Sequence, residues 1–314
     1  MIRWQAIRLP TNHVNIDTVI MIRNIICALL LTGAIFTSCT AEKCCAPKKE
    51  ISIQLYSIRD TIARAGNQLD SIFKGLAAMG YTGIEAAGYG GGKFYGHAPE
   101  DFKATAEKYG IKVVSSHCNR NLTAEEIESG DFTEALKWWE QAIADHKAAG
   151  MKYIVNPWLN RPATLKELKV ICDFFNEIGK LCNAAGLKYG YHNHSHEMVN
   201  VEDRMMLEYM IENTAPENVF YELDVYWTVN GRKSPVEFFE KYPGRFTALH
   251  IKDHREVGQS GMVGFDAIFK NAEKAGVKDI IVEIEGCKGT SMDGAKASID
   301  YLLAAPFVPA SYGK

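Results

Sequence analysis

The sequence has no clustered run of lysine and arginine, and its formal net charge is only −3 over 314 residues. Nucleic-acid-binding surfaces normally carry such clusters, so we expect no nucleic-acid partner. The eight cysteines form no CxxC pair, which argues against a zinc ribbon. Apolar residues make up 47% of the chain, which is ample for one large core. These features favour a globular protein that binds an uncharged or modestly charged small molecule.

The N-terminal region also lacks an apolar run long enough to span a bilayer, since the run at residues 25–36 is too short. That run follows a positively charged start at Met21 and precedes small residues and Cys39, an order typical of an export signal. It resembles a bacterial lipoprotein signal. We therefore expect translation to start at Met21, a lipid anchor at Cys39, and an exported protein, periplasmic or membrane-anchored. Residues 1–50 would form the signal and tether, and residues 51–314 the folded domain.

From residue 51 onward, eight short apolar runs alternate with eight longer amphipathic runs, the pattern of repeated βα units. The predicted strands are residues 51–56, 83–86, 112–116, 153–156, 187–192, 219–224, 247–251 and 280–284. The predicted helices are residues 68–79, 99–109, 132–149, 165–185, 201–213, 235–241, 265–275 and 295–303. This eightfold repeat predicts a single α/β domain, a (β/α)₈ TIM barrel.

A doubly wound open sheet is the alternative fold. It usually carries a Gly-rich phosphate-binding turn after its first strand, and here that strand is followed by residues 57–60 without such a turn. A glycine-rich stretch does follow the second strand, at residues 88–92. No helix begins at the spacing that phosphate binding requires, so we interpret this stretch as a flexible loop over the barrel mouth.

Carboxylate or imidazole side chains stand at six of the eight predicted strand ends. In a barrel these ends meet at one face, where active sites are found. The fifth strand contributes the densest group, with three histidines and a glutamate between His192 and Glu197. Because His192 and His194 have the same strand parity, both can point inward. Imidazole and carboxylate together are typical ligands of a divalent transition metal.

The order of short motifs at the strand ends resembles the xylose isomerase-like barrels. This superfamily contains sugar and sugar-phosphate isomerases and epimerases, together with dehydratases and an endonuclease branch. The motifs that carry the resemblance are Gln54-Leu55-Tyr56-Ser57, Gly83-Ile84-Glu85, Tyr191-His192-Asn193-His194, Leu223-Asp224-Val225-Tyr226-Trp227, His250-Ile251-Lys252-Asp253 and Val282-Glu283.

The resemblance implies one divalent metal ion, with manganese expected first and magnesium, cobalt or zinc as alternatives. Its ligands map onto Asp224, His250 and Glu283. His192 stands where many relatives carry a glutamate that serves both as ligand and as proton-transfer base. We therefore expect His192 to bind the metal as a neutral imidazole, and His194 or Glu197 to handle protons.

Further roles follow from the chemistry of the remaining side chains. Lys252 can stabilise a negatively charged substrate oxygen, and His117 and Glu85 can contact hydroxyl groups or act as acid and base. The predicted catalytic residues are thus Glu283, His194, Lys252, His117 and Glu85. The predicted substrate-binding residues are Gln54, Tyr56, Trp158, Asn193, Glu197 and Trp227.

These observations favour a metal-dependent isomerase or epimerase that acts on a keto-sugar or a related carbohydrate through an enediolate. Elimination or hydrolysis of a keto-glycoside, or dehydration, is the close alternative, because the same intermediate can expel a leaving group. A non-catalytic carbohydrate-binding lipoprotein is an alternative of another class. A phosphodiesterase like the endonuclease branch is disfavoured by the slightly acidic net charge.

Overall fold

The structure, a computed structural model, describes residues 48–66 and 68–312. Eight parallel strands close into a barrel in which each strand pairs with its neighbours in chain order and β1 pairs with β8. The predicted (β/α)₈ barrel is therefore confirmed. The barrel strands are β1 (Ser52–Gln54), β2 (Gly83–Ala86), β3 (Lys112–His117), β4 (Tyr153–Asn156), β5 (Lys188–His192), β6 (Val219–Asp224), β7 (Ala248–Ile251) and β8 (Asp279–Val282).

Helices surround the barrel, and none within the described residues is both long and apolar enough to cross a membrane. The predicted signal, the start at Met21 and the lipid site at Cys39 lie outside the described residues. The α-helices are α1 (Arg59–Arg64), α2 (Asp70–Met79), α3 (Pro99–Glu107), α4 (Ala124–Ser129), α5 (Thr133–Ala148), α6 (Leu165–Ala185), α7 (Met206–Asn213), α8 (Val225–Asn230), α9 (Pro235–Lys241), α10 (Phe265–Lys270), α11 (Ala272–Ala275) and α12 (Ser291–Ala304).

The longest helix, α6, shows how sequence and packing agree. Thr164 caps its first turn by accepting a hydrogen bond from the Glu167 amide, and Gly186 ends it at a φ of 84°. Its buried side chains recur at helical spacing, including Leu168, Ile171 and Phe175. The predicted range, 165–185, therefore matches the structure at both ends.

The predicted helix at residues 201–213 begins only at Met206 in the structure. Its first residues instead form a small antiparallel hairpin, Asn200–Val201 with Arg204–Met205, which turns at Glu202 with a φ of 52°. The predicted helix at 265–275 is interrupted at Asn271, between α10 and α11. The helices α1, α4 and α8 were not predicted, because six residues are too few to show a helical period.

The barrel interior changes from apolar to polar along the strands. Side chains Phe220, Glu222 and Asp224 alternate along β6 and therefore share one face. At the level of Phe220, a β-carbon on Gly190 would stand 2.5 Å from the Phe220 ring, so a glycine is needed there. A buried apolar cluster fills this level, formed by Val114, Tyr153, Val155, Phe220, Ala248 and Ile281. The polar layers lie above it, toward the carboxyl ends of the strands.

The glycine-rich stretch after β2 is an ordered hairpin, Tyr89–Gly90 with Lys93–Phe94, which corrects the prediction of a flexible loop. It packs on His146 of α5, whose ring centroid lies 4.8 Å from Tyr89 and 4.9 Å from Phe94. The His146 Nδ1 lies 2.6 Å from the Ala142 carbonyl oxygen, while Nε2 has no partner. Burial, opposed by the Ala142 carbonyl, lowers the pKa of His146 to about 4.

We predict that His146 makes folding sensitive to mild acid. Its pKa is lower in the folded chain, so the unfolded chain takes up a proton first as the pH falls below about 6.5. Above that pH the titration of His146 does not affect the free energy of unfolding. Between pH 6.5 and pH 5 it lowers the free energy of unfolding by about 2 kcal/mol. Urea unfolding of the wild type and of His146→Phe at both pH values measures this loss, with His254→Gln as the exposed-histidine control. An equal pH dependence in wild type and His146→Phe would contradict it.

Candidate active site

Four side chains from four strand ends meet at the carboxyl face of the barrel. We call this the upper cluster; its ligand atoms all lie within 4.8 Å of one another, and its members are His192, Asp224, His250 and Glu283. His192 Nε2 is 3.5 Å from Asp224 Oδ2, and His250 Nδ1 is 3.2 Å from Glu283 Oε2. All four side chains are buried. The structure thus brings together the four residues that the sequence predicted as metal ligands.

The upper cluster contains buried polar atoms that no residue in the described part of the chain satisfies with a hydrogen bond. Both ring nitrogens of His192 and the Oδ2 atom of Asp224 have no hydrogen-bond partner. Buried polar atoms are normally paired, so these three need an explanation. A divalent cation fits the donor set of two imidazoles and two carboxylates, and the carboxylates match its charge.

The pKa shifts agree with this interpretation. The pKa of His192 is held well below its ordinary value, mainly by burial and further by the neighbouring His250 and His117. Its imidazole is therefore neutral and can act as a ligand. Burial raises the pKa of Asp224 to about 7, against the pull of the nearby Lys252. A bound cation would favour the ionised carboxylate of Asp224 and offset the free-energy cost of ionising this buried group.

A second polar layer lies directly beneath the upper cluster. We call its members Glu85, His117 and Glu222 the lower layer. His250 joins the two levels, since its Nε2 lies 2.8 Å from Glu85 Oε1 while its Nδ1 faces the upper cluster. His117 Nε2 lies 3.0 Å from Glu222 Oε2 and 3.2 Å from Glu85 Oε1. Glu85 is itself held by donors from Gln54, at 2.7 Å, and Ser115, at 2.6 Å.

Lys252 provides a buried positive charge beside the upper cluster. Its Nζ lies 3.1 Å from Glu283 Oε2, 3.3 Å from Glu285 Oε1 and 4.8 Å from the centroid of the Trp227 ring. Burial alone would lower the pKa of Lys252, but Glu283 and Asp224 raise it above the ordinary value. The ammonium group is therefore charged and neutralised by two glutamates.

A cavity of about 350 Å³ opens above the upper cluster. His117, His192 and Glu283 reach it from the cluster and the lower layer, and Tyr56, Trp158 and His194 line it as the sequence predicted. Burial lowers the pKa of His194 to about 3, so this imidazole is neutral. The lining also includes residues that were not predicted as site residues, among them Tyr89, Trp138 and Glu285.

Six residues predicted to act on or contact the substrate are not among the described residues that line the cavity: Lys252, which lies beside the upper cluster, and Gln54, Glu85, Trp227, Asn193 and Glu197. Gln54 and Glu85 are buried beneath it and bond to each other. Trp227 packs on Lys252 and His194 behind the wall. The local turns explain the other two, Asn193 and Glu197. Asn193 accepts a hydrogen bond from the Asp224 amide, and Glu197 accepts from the Tyr191 hydroxyl and the His194 amide.

Trp138 was not predicted to line the cavity, although the sequence contains one indication that it does not face the core. Trp138 and Trp139 are adjacent on α5, and Trp139 is fully buried. Adjacent helical positions point about 100° apart, so both cannot face the core. Trp138 is 37% exposed and turns toward the cavity. The pair itself was therefore the signal that one tryptophan faces away from the core.

A (β/α)₈ barrel with clustered histidine and carboxylate ligands at its carboxyl face belongs to a class typical of enzymes. The chain belongs to the xylose isomerase-like TIM barrel family, whose family model matches residues 73–305. The resemblance seen in the strand-end motifs is thereby confirmed.

Individual relatives are carbohydrate-processing enzymes. A sugar phosphate isomerase/epimerase from Parabacteroides distasonis ATCC 8503 is 35% identical; its structure matches with a TM-score of 0.77, covering 85% of this chain and 97% of that one. An inosose dehydratase from Geobacillus kaustophilus (strain HTA426) is 23% identical over 221 residues, which are 63% of this chain and 67% of the relative. The structure of IolI with a bound zinc atom shares the fold, with a TM-score of 0.62, 15% identity, and coverage of 84% of this chain and 100% of that one.

Proposed function

We propose that this protein is a divalent-metal-dependent isomerase or epimerase of a carbohydrate that carries a hydroxyl group next to a carbonyl. The observation that carries the proposal is the set of unpaired, buried donor atoms on His192 and Asp224, which face His250 and Glu283 at the floor of a cavity. The relative named as a sugar phosphate isomerase/epimerase supports the reaction class. Manganese is the first candidate metal, with magnesium, cobalt and zinc as alternatives, and we propose an exported lipoprotein as the setting.

The metal would be held by His192, Asp224, His250 and Glu283, and when bound it supplies Lewis-acid polarisation of the substrate carbonyl. Glu283 lines the cavity and can take the proton from the carbon next to the carbonyl. Burial would raise its pKa, but the hydrogen bond to His250 and the charge of Lys252 hold the pKa of Glu283 well below its usual range, so the carboxylate is ionised.

His117 is placed to supply a proton at the cavity floor. Burial lowers its pKa, but Glu85 and Glu222 outweigh burial and raise the pKa of His117 above its ordinary value. The raised pKa favours the protonated form of the ring, which lines the cavity and can donate to a substrate oxygen. The charge of Lys252 lies close by and favours negative charge that develops on the substrate. His194 remains a neutral hydrogen-bonding group on the wall.

A dehydratase or lyase is the second candidate. The same proton abstraction by Glu283 leads to elimination when the next carbon carries a hydroxyl or a glycosidic oxygen. Loss of that oxygen needs a proton donor, and His117, with its raised pKa, offers one at the cavity floor. The relatives named inosose dehydratase favour this reaction.

Proton abstraction is common to both candidates and can be measured directly. The purified full chain is treated with a chelator, reloaded with manganese, magnesium, cobalt or zinc, and incubated with unphosphorylated ketohexoses and keto-glycosides in deuterated water. We expect deuterium to enter the position next to the carbonyl only in the metal-loaded protein, and NMR of the products separates isomerisation from elimination. Sugar binding that persists without metal, together with no deuterium exchange, would favour the carbohydrate-binding lipoprotein.

We predict that Glu85→Gln lowers metal affinity by about 10- to 100-fold, the usual cost of losing an outer-shell partner of a metal ligand. Glu85 Oε1 lies 2.8 Å from His250 Nε2 and can hold a proton there, so that Nδ1 would be available to the metal. Glu197→Gln is the matched control, since Glu197 is equally buried but makes none of its hydrogen bonds to the upper cluster. Equal metal affinities in the two variants, measured by competition with a metal-sensitive dye, would contradict this role of Glu85.

A further inference from the structure

The charges around the cavity indicate what kind of carbohydrate it accepts, which rests on the proposed function. Among the described residues that line it, two are carboxylates, Glu283 and Glu285, and none is lysine or arginine. The nearest buried cation, Lys252, stands behind the wall and is paired with both glutamates. A phosphate group at the wall of this cavity would therefore face the carboxylate of Glu285 and would find no lysine or arginine among the described lining residues.

The backbone donors that often hold phosphate in such barrels are also occupied. Those donors lie in the loops after β7 and β8 and at the helix start that follows. In the loop after β7, Asp253 accepts hydrogen bonds from the amides of His254, at 2.7 Å, and Ser260, at 3.2 Å. At the start of α12, Thr290 and Asp293 satisfy each other's amides in a capping box. These four amides are therefore already paired with side chains of the protein.

The cavity wall is instead rich in exposed aromatic faces. The large hydrophobic residues that remain exposed within the described chain include Tyr56 and Trp158, each 44% exposed, and Trp138, 37% exposed, and all three line this cavity. They are held in place rather than free. Arg59 lies 4.1 Å from the centroid of one face of Tyr56, Trp158 Nε1 donates to Asn160 at 3.1 Å, and Trp138 packs edge-on against Trp139 at 5.2 Å between centroids.

Fixed aromatic rings that are exposed to solvent are costly unless a ligand covers them, and they suit the apolar face of a sugar ring. The upper cluster occupies the floor of the cavity. A sugar that reacts at the floor therefore leaves the aromatic wall free to contact a group that is attached to that sugar. The cavity volume of about 350 Å³ lies within the usual range for small-molecule sites.

We propose that the site takes an uncharged carbohydrate with a second ring, that the second ring packs against Tyr56, Trp138 and Trp158, and that phosphorylated sugars are rejected. The reacting ring contacts the floor, and Glu285 accepts hydroxyl hydrogen bonds at the wall. The name of the sugar phosphate isomerase/epimerase describes that relative. The proposal for this chain depends on the residues that line its own cavity.

The test compares three probes by calorimetry with the manganese-loaded full chain: fructose, fructose 6-phosphate and lactulose, a galactosyl-fructose. We expect lactulose to bind about 10-fold more tightly than fructose, the gain from one well-placed aromatic contact. We expect fructose 6-phosphate to bind at least about 10-fold more weakly than fructose because of like charge. Fructose 6-phosphate binding as well as fructose, or no binding of lactulose, would overturn the proposal.

Three variants locate the effect. Trp158→Ala should weaken lactulose binding more than fructose binding and so remove most of the lactulose advantage. Leu303 is an exposed leucine on α12, away from the cavity lining, and Leu303→Ala should leave both affinities unchanged. Glu285→Gln should narrow the gap between fructose and fructose 6-phosphate. An equal loss for fructose and lactulose in Trp158→Ala counts against the second-ring site. If the order of affinities holds but no deuterium exchange occurs, the proposed reaction fails while this assignment of the cavity stands.

Discussion

Asp224→Asn is expected to reduce metal affinity by more than 100-fold and to abolish turnover. Loss of an outer-shell partner usually costs about 10- to 100-fold, and Asp224 is a proposed direct ligand, so its charge should matter more. The substitution preserves shape. Asparagine can still accept the 2.7 Å hydrogen bond from the Trp227 amide that caps α8, so the fold should be retained.

Metal content by mass spectrometry and deuterium exchange with the active ketose measure this result. Asp279→Asn is the matched control, because Asp279 lies at the amino end of β8, where it pairs with Lys152 and accepts a hydrogen bond from the Tyr153 hydroxyl. That variant should keep its metal. Full metal occupancy and normal exchange in Asp224→Asn would refute the assignment of the upper cluster.

Glu283→Gln is expected to separate metal binding from proton transfer. An amide oxygen can still contact a cation but cannot take a proton, so kcat should fall by about 10²- to 10⁴-fold while part of the metal affinity remains. The loss should appear in deuterium exchange as strongly as in product formation. Glu197→Gln again provides a buried-glutamate control.

Two outcomes would count against Glu283 as the base. Deuterium exchange that continues at the wild-type rate in Glu283→Gln would move proton abstraction to another group, and the neutral imidazole of His194 on the cavity wall would be the next candidate. Complete loss of metal in Glu283→Gln, with exchange restored at high metal concentration, would leave Glu283 as a ligand alone.

The barrel and the upper cluster were predictable from sequence for the same reason. Parallel strands in a barrel end at one face, so the polar residues at six strand ends could be placed together. Strand parity allowed His192 and His194 to point inward, and the resemblance to xylose isomerase-like barrels selected Asp224, His250 and Glu283 as ligands. These rules depend only on regular backbone geometry, which periodic patterns in the sequence report directly.

The cavity wall could not be predicted in the same way, because loops and helix rotation decide it. His194 and Glu197 belong to one motif, but the 3₁₀ turn at His196–Met198 directs Glu197 under the Tyr191 hydroxyl and away from the cavity. Tyr89 reaches the cavity through a hairpin that its glycines allow but do not specify. Direct contact was therefore predicted for residues that in fact support their neighbours.

The position of His250 between two polar levels has a consequence for how this protein can change during evolution. Its ring contacts Glu283 on one side and Glu85 on the other, and Glu85 lies out of reach of any ligand in the cavity. Substitutions at Glu85 can therefore adjust how strongly the ion is held without altering the surface that a sugar meets. Substitutions at Tyr56, Trp138 or Trp158 can change the accepted sugar without disturbing the ion. Reactivity and substrate range are thus open to independent selection within one barrel.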